Sequence, residues 1–65
     1  MFIKLTGVDS DDRPYPIFVN PTHVDMVRPF RTGSFVGFVG SPAIRVQEQI
    51  DEVMALLQGA EVRHA

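Results

Sequence analysis

The sequence contains no cysteine among its 65 residues. It therefore has no disulfide, no thiolate metal ligand and no cysteine nucleophile. A chain of this length forms one small domain, and a domain of about 60 residues buries only about 60% of the surface that its unfolded chain exposes. Because small domains without cross-links often need further stabilisation, this absence favours association with a partner subunit.

The chain also lacks an excess of positive charge. Six Lys and Arg residues stand against eight Asp and Glu residues, which gives a net charge of −2 at pH 7. Proteins dedicated to duplex DNA usually carry a strong basic excess, because phosphate neutralisation dominates their affinity. The composition therefore argues against duplex binding and leaves only a local basic patch open.

Long apolar runs are absent as well. No stretch approaches the roughly 20 apolar residues of a membrane-spanning helix. The first eight residues are interrupted by Lys4 and Thr6, and no small-residue cleavage site follows, unlike in a signal peptide. We therefore expect no membrane span and a cytoplasmic location.

The apolar residues that are present predict five short strands. Alternating or β-branched runs separated by Pro, Gly and Asp indicate strands over residues 2–8, 17–19, 24–29, 35–39 and 43–46. Residues 9–16 contain two prolines and three aspartates and are predicted to form a polar, solvated loop. Residues 31–34 are a hairpin signal, in which Gly33 can adopt a positive φ without strain.

A change of period near residue 47 predicts one helix. Ile50, Val53, Met54 and Leu57 recur at helical spacing, which favours a helix over residues 47–58 that ends at Gly59. Residues 61–65 are predicted to be a flexible tail after a single domain over residues 1–60. The predicted fold is α+β, a small and strongly bent antiparallel sheet or open barrel of about five strands with one C-terminal helix.

Short motifs follow one another along nearly the whole chain in the order of a known family. They are Ile3 to Thr6 at the start, Val19, Asn20 and Pro21 leading to Val24 and Val27, and Gly40, Ile44, Val46, Glu48, Glu52 and Val53 near the end. This order resembles the FlbD-like small flagellar proteins and their uncharacterised phage and mobile-element relatives. The resemblance implies a non-enzymatic accessory or regulatory protein, linked to motility in flagellar members, with no cofactor and no assignable ligand residues.

Candidate catalytic and metal-binding residues are few. His23 and Asp25 could act as a base and its orienting carboxylate, but His23 is better explained as a turn residue after Pro21. Asp9 and Asp11 have the spacing of a calcium loop without its central glycine and distal glutamate. Two histidines without cysteine do not make a zinc signature. We therefore predict no enzyme, no catalytic residue and no metal site.

Arginine and phenylalanine residues form the best candidate binding site. Arg28, Phe30 and Arg31 lie close together in the sequence, and Arg45 could join them across the sheet. An aromatic ring between guanidinium groups can stack a base and hold a phosphate, which suggests a nucleic-acid or nucleotide binder, or an oligomer that sequesters a small anionic ligand between subunits. The alternative is that the arginines are solvated charges that discourage addition of another strand at the sheet edge.

Apolar residues also fall on the side of the strands opposite the predicted core. One helix cannot cover both faces of a sheet, so either the sheet curls into a barrel or a second copy covers the other face. We predict a homo-oligomer that acts mainly through protein contacts. The predicted interface residues are Phe2, Phe18, Phe35 and Val39.

Overall fold

Five antiparallel strands in one unclosed sheet and one C-terminal helix make up the fold, which confirms the predicted α+β class. The computed structural model describes the backbone of residues 1–62 and the side chains of residues 1–59. The elements in chain order are β1 (Ile3–Val8), β2 (Pro14–Val19), a 3-10 turn (Pro21–His23), β3 (Val24–Phe30), β4 (Gly33–Phe38), β5 (Ser41–Val46) and α1 (Ile50–Val62). Within the described residues, no helix combines the length and the apolar character needed to cross a bilayer.

The strand order β2-β1-β5-β4-β3 places β2 and β3 at opposite edges of the sheet. The connection between them is residues 20–23, and this stretch spans at most about 17 Å when fully extended. In a flat sheet the two edge strands would be roughly 19 Å apart. A hydrogen bond from the His23 amide to the Asn20 carbonyl, 3.0 Å long, makes the connection more compact still. The sheet therefore has to bend so that its edges approach each other.

The sheet consists of the β1–β2 hairpin and the β3–β4–β5 meander, which meet where β1 lies beside β5. In the part of the chain described, the register of this seam contains one residue pair, Gly7 with Val46. The Gln47 amide also donates to the Thr6 carbonyl at 2.8 Å. The Thr6 amide donates to the carboxylate of Glu48, at 2.9 Å from Oε1 and 3.2 Å from Oε2. A side chain thus continues the hydrogen bonding of the seam after β5 has ended.

The core lies between the sheet and α1. Alternation along β1 buries Ile3 and Leu5 and exposes Lys4, as a period of two predicts. Val53 of α1 is fully buried in the same cluster. The buried hydrophobic side chains among those described are Ile3, Leu5, Val19, Val36, Val46 and Val53. All six are aliphatic, so the fully buried part of the core is small. The partly buried hydrophobic residues that pack against it are Ile17, Val24, Val27, Phe38, Ile44 and Leu57.

The helix begins later than its predicted start at residue 47. Gln47 is still hydrogen-bonded to β1, so its backbone cannot yet turn into a helix. The first helical hydrogen bonds run from the amides of Glu52 and Val53 to the carbonyl of Gln49, each 3.0 Å long. Ile50 is consequently the first residue of α1.

The helix also continues beyond its predicted end at Gly59 and reaches Val62. A glycine inside a helix costs only about 1 kcal/mol relative to alanine, so the packing of α1 on the sheet can offset it. Residues 61 and 62, predicted to belong to a flexible tail, are the last residues of α1. The rest of the predicted tail, residues 63–65, lies outside the described residues.

Three strands begin earlier than predicted. β4 begins at Gly33 rather than at residue 35, and the early parts of β2 and β5 contain proline. β2 begins at Pro14 and includes Pro16, which an edge strand tolerates because half of its amides face no neighbouring strand. β5 begins at Ser41 and includes Pro42. Because β1 pairs with β5 only near Val46, the first half of β5 lacks a strand on that side and accepts a proline.

Gly33 does not use the positive φ that glycine allows. It is the first residue of β4, and the positive φ of the preceding turn, 54°, belongs to Arg31. A Cβ atom at position 33 would collide with the backbone oxygen of Val46 on β5. Glycine is therefore needed here for the close approach of two strands rather than for the shape of the turn.

Candidate functional site

Five side chains form a cluster of aromatic and guanidinium groups on β3, β4, β5 and the β3–β4 turn. We call it the Arg/Phe cluster, and it consists of Arg28, Phe30, Arg31, Phe35 and Arg45. The rings of Phe30 and Phe35 have centroids 4.4 Å apart and an interplanar angle of 48°. The Cζ atom of Arg28 lies 4.8 Å from the centroid of Phe35, and those of Arg31 and Arg45 lie 5.3 and 5.5 Å from the centroid of Phe30. All three distances are in the range of cation–π interactions.

The register of the strands explains why these residues meet. Phe35 on β4 is paired with Arg28 on β3 and with Arg45 on β5, so the three side chains share one face of the sheet. Phe30 lies two residues beyond Arg28 on the same strand and therefore on the same face. Arg31 follows directly in the turn. The four predicted binding residues thus lie together, and Phe35 joins them as a fifth.

A carboxylate from the β1–β2 loop contacts one side of the cluster. Arg45 Nη1 donates to Asp12 Oδ1 at 2.8 Å, and the two side chains are 30% and 70% exposed. Asp12 adopts a positive φ of 60°. Its loop is held by Asp9, whose Oδ1 accepts hydrogen bonds from the amides of Asp11 and Arg13, each 2.9 Å long. The predicted polar loop therefore has a defined shape that brings the carboxylate of Asp12 next to the guanidinium group of Arg45.

The four predicted interface residues occupy two separate places. Phe2, Phe18 and Val39 line one groove with a volume of about 500 Å³, which we call the apolar groove. They are 67%, 65% and 68% exposed. Phe35 is instead half-buried in the Arg/Phe cluster. Val39 lies in the β4–β5 turn rather than in the predicted strand, and its amide donates to the carbonyl of His23 at 3.0 Å.

His23 was the main catalytic candidate in the sequence and lies exposed at the end of the 3-10 turn. The turn is stabilised by Asn20, whose Oδ1 accepts a hydrogen bond from the Thr22 amide at 3.1 Å. Within residues 1–59, no hydrogen bond joins His23 to Asp25, and no group of three or more His, Cys, Asp or Glu side chains could hold a metal ion.

Sequence reasoning missed Asp12 and grouped Phe35 with a different surface. The register of the β3–β4 hairpin was the available signal for Phe35, because a two-residue turn after Phe30 places Phe35 opposite Arg28. No comparable signal exists for Asp12. It is 33 positions away from Arg45, and its contact depends on the shape of the β1–β2 loop.

The Arg/Phe cluster and the apolar groove are thus the two candidate sites, and both are assigned from geometry. Comparison with known proteins adds no family, because no protein-family model, curated protein or solved structure matches this chain significantly.

Proposed function

We propose that this chain is a small, non-enzymatic binding protein of the cytoplasm that forms a homo-oligomer and acts through protein contacts. The resemblance of its motifs to FlbD-like proteins supports an accessory or regulatory role of this kind. The observation that carries the proposal is the apolar groove. Phe2, Phe18 and Val39 converge there although each is about two-thirds exposed. Exposed apolar surface that is gathered in one place is typical of an interaction site.

The composition of the groove favours a second copy of the chain as its occupant. Its lining includes no Asp, Glu, Lys or Arg side chain. Each copy carries a net charge of −2, so a contact through uncharged surface avoids placing like charges against each other. In a two-fold dimer the same patch of both copies would meet, which brings two identical sets of apolar side chains together.

The energetics of the fold point in the same direction. The core contains no fully buried aromatic residue among the described side chains, whereas Phe2 and Phe18 remain exposed. Complete burial of one phenylalanine side chain stabilises by about 1.5–3 kcal/mol. In a dimer, the exposed phenylalanines of both chains would become buried. This burial would stabilise a domain whose own core is small.

The solution mass tests this proposal. By analytical ultracentrifugation we expect a mass of at least twice the 7.3 kDa chain mass. We expect Phe18→Ser to dissociate the oligomer. Met54→Ser is the matched control, because Met54 is 40% exposed on α1 outside the groove. A wild-type protein that remains monomeric at millimolar concentration would refute the proposal. Dissociation by Met54→Ser to the same extent as by Phe18→Ser would also refute it.

A further inference from the structure

We propose that the Arg/Phe cluster is a nucleotide-binding site. The phosphate of the nucleotide takes the place of the Asp12 carboxylate on Arg45, and its base stacks on the guanidinium and phenyl groups beside it. The site shares no lining residue with the apolar groove, so it is independent of the proposed oligomer. A free nucleotide and a nucleotide in a single strand both present a phosphate and a base, and titration with AMP and with single-stranded DNA separates these two sources.

Positive charge is concentrated in this cluster although the chain is acidic. Arg28, Arg31 and Arg45 are three of the six basic residues. Among the side chains of residues 1–59, one carboxylate forms an ion pair with these arginines: Asp12 pairs with Arg45. Arg28 and Arg31 are exposed and form no ion pair with any side chain of residues 1–59. Guanidinium groups bind phosphate well because two of their N–H groups can donate to two phosphate oxygens at once.

Protection of the sheet edge accounts for Arg28, which is exposed on the edge strand β3, but not for Arg45. A charge that only discourages strand addition belongs on an edge strand and extends into solvent. Arg45 lies on β5, which is an interior strand between β1 and β4. All three guanidinium groups lie over phenylalanine rings, at 4.8 to 5.5 Å from their centroids. The cluster therefore presents three guanidinium groups beside two aromatic rings, which are groups on which a base can stack.

The backbone is strained at two positions that serve this cluster. Asp12 and Arg31 are the non-glycine residues with positive φ in the described chain, at 60° and 54°. Asp12 places its carboxylate on Arg45, and Arg31 places its guanidinium on Phe30. Glycine or asparagine would form the β3–β4 turn with less strain than arginine. Strain of this kind concentrates at functional sites, where the side chain matters more than the ease of the turn.

A polar cavity adjoins the cluster on the side of Arg45. Its volume is about 500 Å³, and its polar lining residues are Asp12, Thr32, Arg45, Gln47, Gln49 and Glu52, so it holds two carboxylates beside one guanidinium group. Sites for small ligands occupy roughly 300–1,000 Å³, so the cavity can accommodate a mononucleotide. The amide groups of Gln47 and Gln49 offer both donors and acceptors to a sugar or base.

Asp12 is suited to be displaced by such a ligand. Its side chain is 70% exposed, so solvent and salt screen its interaction with Arg45. A phosphomonoester brings more negative charge and more acceptor oxygens to the same guanidinium group, whereas a phosphodiester brings the same charge as the carboxylate. The nucleotide adds stacking that neither Asp12 nor inorganic phosphate can provide.

Isothermal titration calorimetry at low salt tests the ligand class on the full chain. The probes are inorganic phosphate, adenosine, AMP and a short single-stranded DNA. We expect AMP, the DNA or both to bind about tenfold or more tightly than phosphate or adenosine. Tighter binding of AMP identifies a free nucleotide, and tighter binding of the DNA identifies a strand. Failure of both to bind at millimolar concentration, or affinity no higher than that of phosphate, overturns the proposal.

Variants test the position of the ligand. We expect Arg45→Ala and Arg31→Gly to weaken binding of the better probe by about tenfold. Lys4→Ala, which removes an exposed cation outside the cluster, should change the affinity by less than about twofold. Asp12→Asn should strengthen binding, because it removes the competing charge. An equal loss in Lys4→Ala and Arg45→Ala overturns the proposal, as does unchanged or weaker binding by Asp12→Asn. If Arg45→Ala does not fold, Arg31→Gly decides, since glycine suits the positive φ at that position.

Discussion

The carboxylate of Glu48 accepts a hydrogen bond from the backbone amide of Thr6, with its two oxygens 2.9 and 3.2 Å from the nitrogen. The residues are 42 positions apart, and their contact joins the β1–β2 hairpin to the rest of the sheet. The backbone carbonyl of Glu48 also accepts a hydrogen bond from the hydroxyl of Ser34 at 2.7 Å. Ser34 is completely buried on β4. Glu48 therefore connects β1 and β4 just before α1 begins.

Replacing Glu48 by alanine is expected to lower the free energy of unfolding by about 1.5–3 kcal/mol, the usual value of a hydrogen bond to a charged group. Glu48→Gln keeps an acceptor oxygen and should lose less. Urea denaturation followed by circular dichroism measures both. Gln47→Ala removes an exposed neighbouring side chain and should change stability by less than about 0.5 kcal/mol. Equal losses of stability in Gln47→Ala and Glu48→Ala would show that the Glu48 carboxylate does not stabilise the contact between β1 and the rest of the sheet.

The seam marks the limit of what the sequence could predict about the fold. The burial of Ile3 and Leu5 and of Val53 on α1 follows from local periodicity, because alternation and helical spacing are visible within a few residues. The contact between Glu48 and Thr6 has no local signal. Many carboxylates can accept a hydrogen bond from an amide, and only the folded sheet determines which of them does.

The candidate sites show the same limit. Arg28, Phe30 and Arg31 are neighbours in the sequence, so their proximity was predictable. Phe35 shares a sheet face with Phe18 by alternation, which suggested one common interface for both. In the structure Phe35 lies beside Phe30 and Arg28, whereas Phe18 lines the apolar groove. Alternation predicts the face of a side chain but not its position across a bent sheet.

Two glycines are expected to respond to alanine substitution in opposite directions. Gly33→Ala should destabilise by about 1–3 kcal/mol, because the new methyl group collides with the backbone oxygen of Val46 and a strand has to shift. Gly59→Ala should stabilise by about 1 kcal/mol, since position 59 is helical with nothing within 4 Å of the added carbon. Thermal unfolding measures both changes. A neutral Gly33→Ala would mean that β4 and β5 do not approach as closely as described.

In the β3–β4 turn, the effects of glycine substitution on stability can be compared at two adjacent residues. Arg31 has a φ of 54°, whereas Thr32 is not among the described residues with positive φ. Arg31→Gly removes the cost of the left-handed conformation but also a cation–π contact, so we expect it to be more stable than Thr32→Gly by about 0.5–1 kcal/mol. Urea denaturation of the two variants measures the difference. The reverse order would contradict the strained turn.

The three aspartates of the β1–β2 loop are all exposed, but replacing them with alanine is expected to change the free energy of unfolding by different amounts. Asp9 accepts hydrogen bonds from two loop amides, so Asp9→Ala should destabilise by about 1 kcal/mol. Asp12 forms an exposed ion pair with Arg45, and Asp12→Ala should change stability by no more than about 0.5 kcal/mol. Asp11→Ala serves as the control, because its carboxylate makes no hydrogen bond within residues 1–59. Urea denaturation at low and high salt separates the two effects: added salt should remove the small contribution of Asp12 and leave most of the larger one of Asp9. If Asp12→Ala destabilised as much as Asp9→Ala, the ion pair would be too strong for an incoming phosphate to displace.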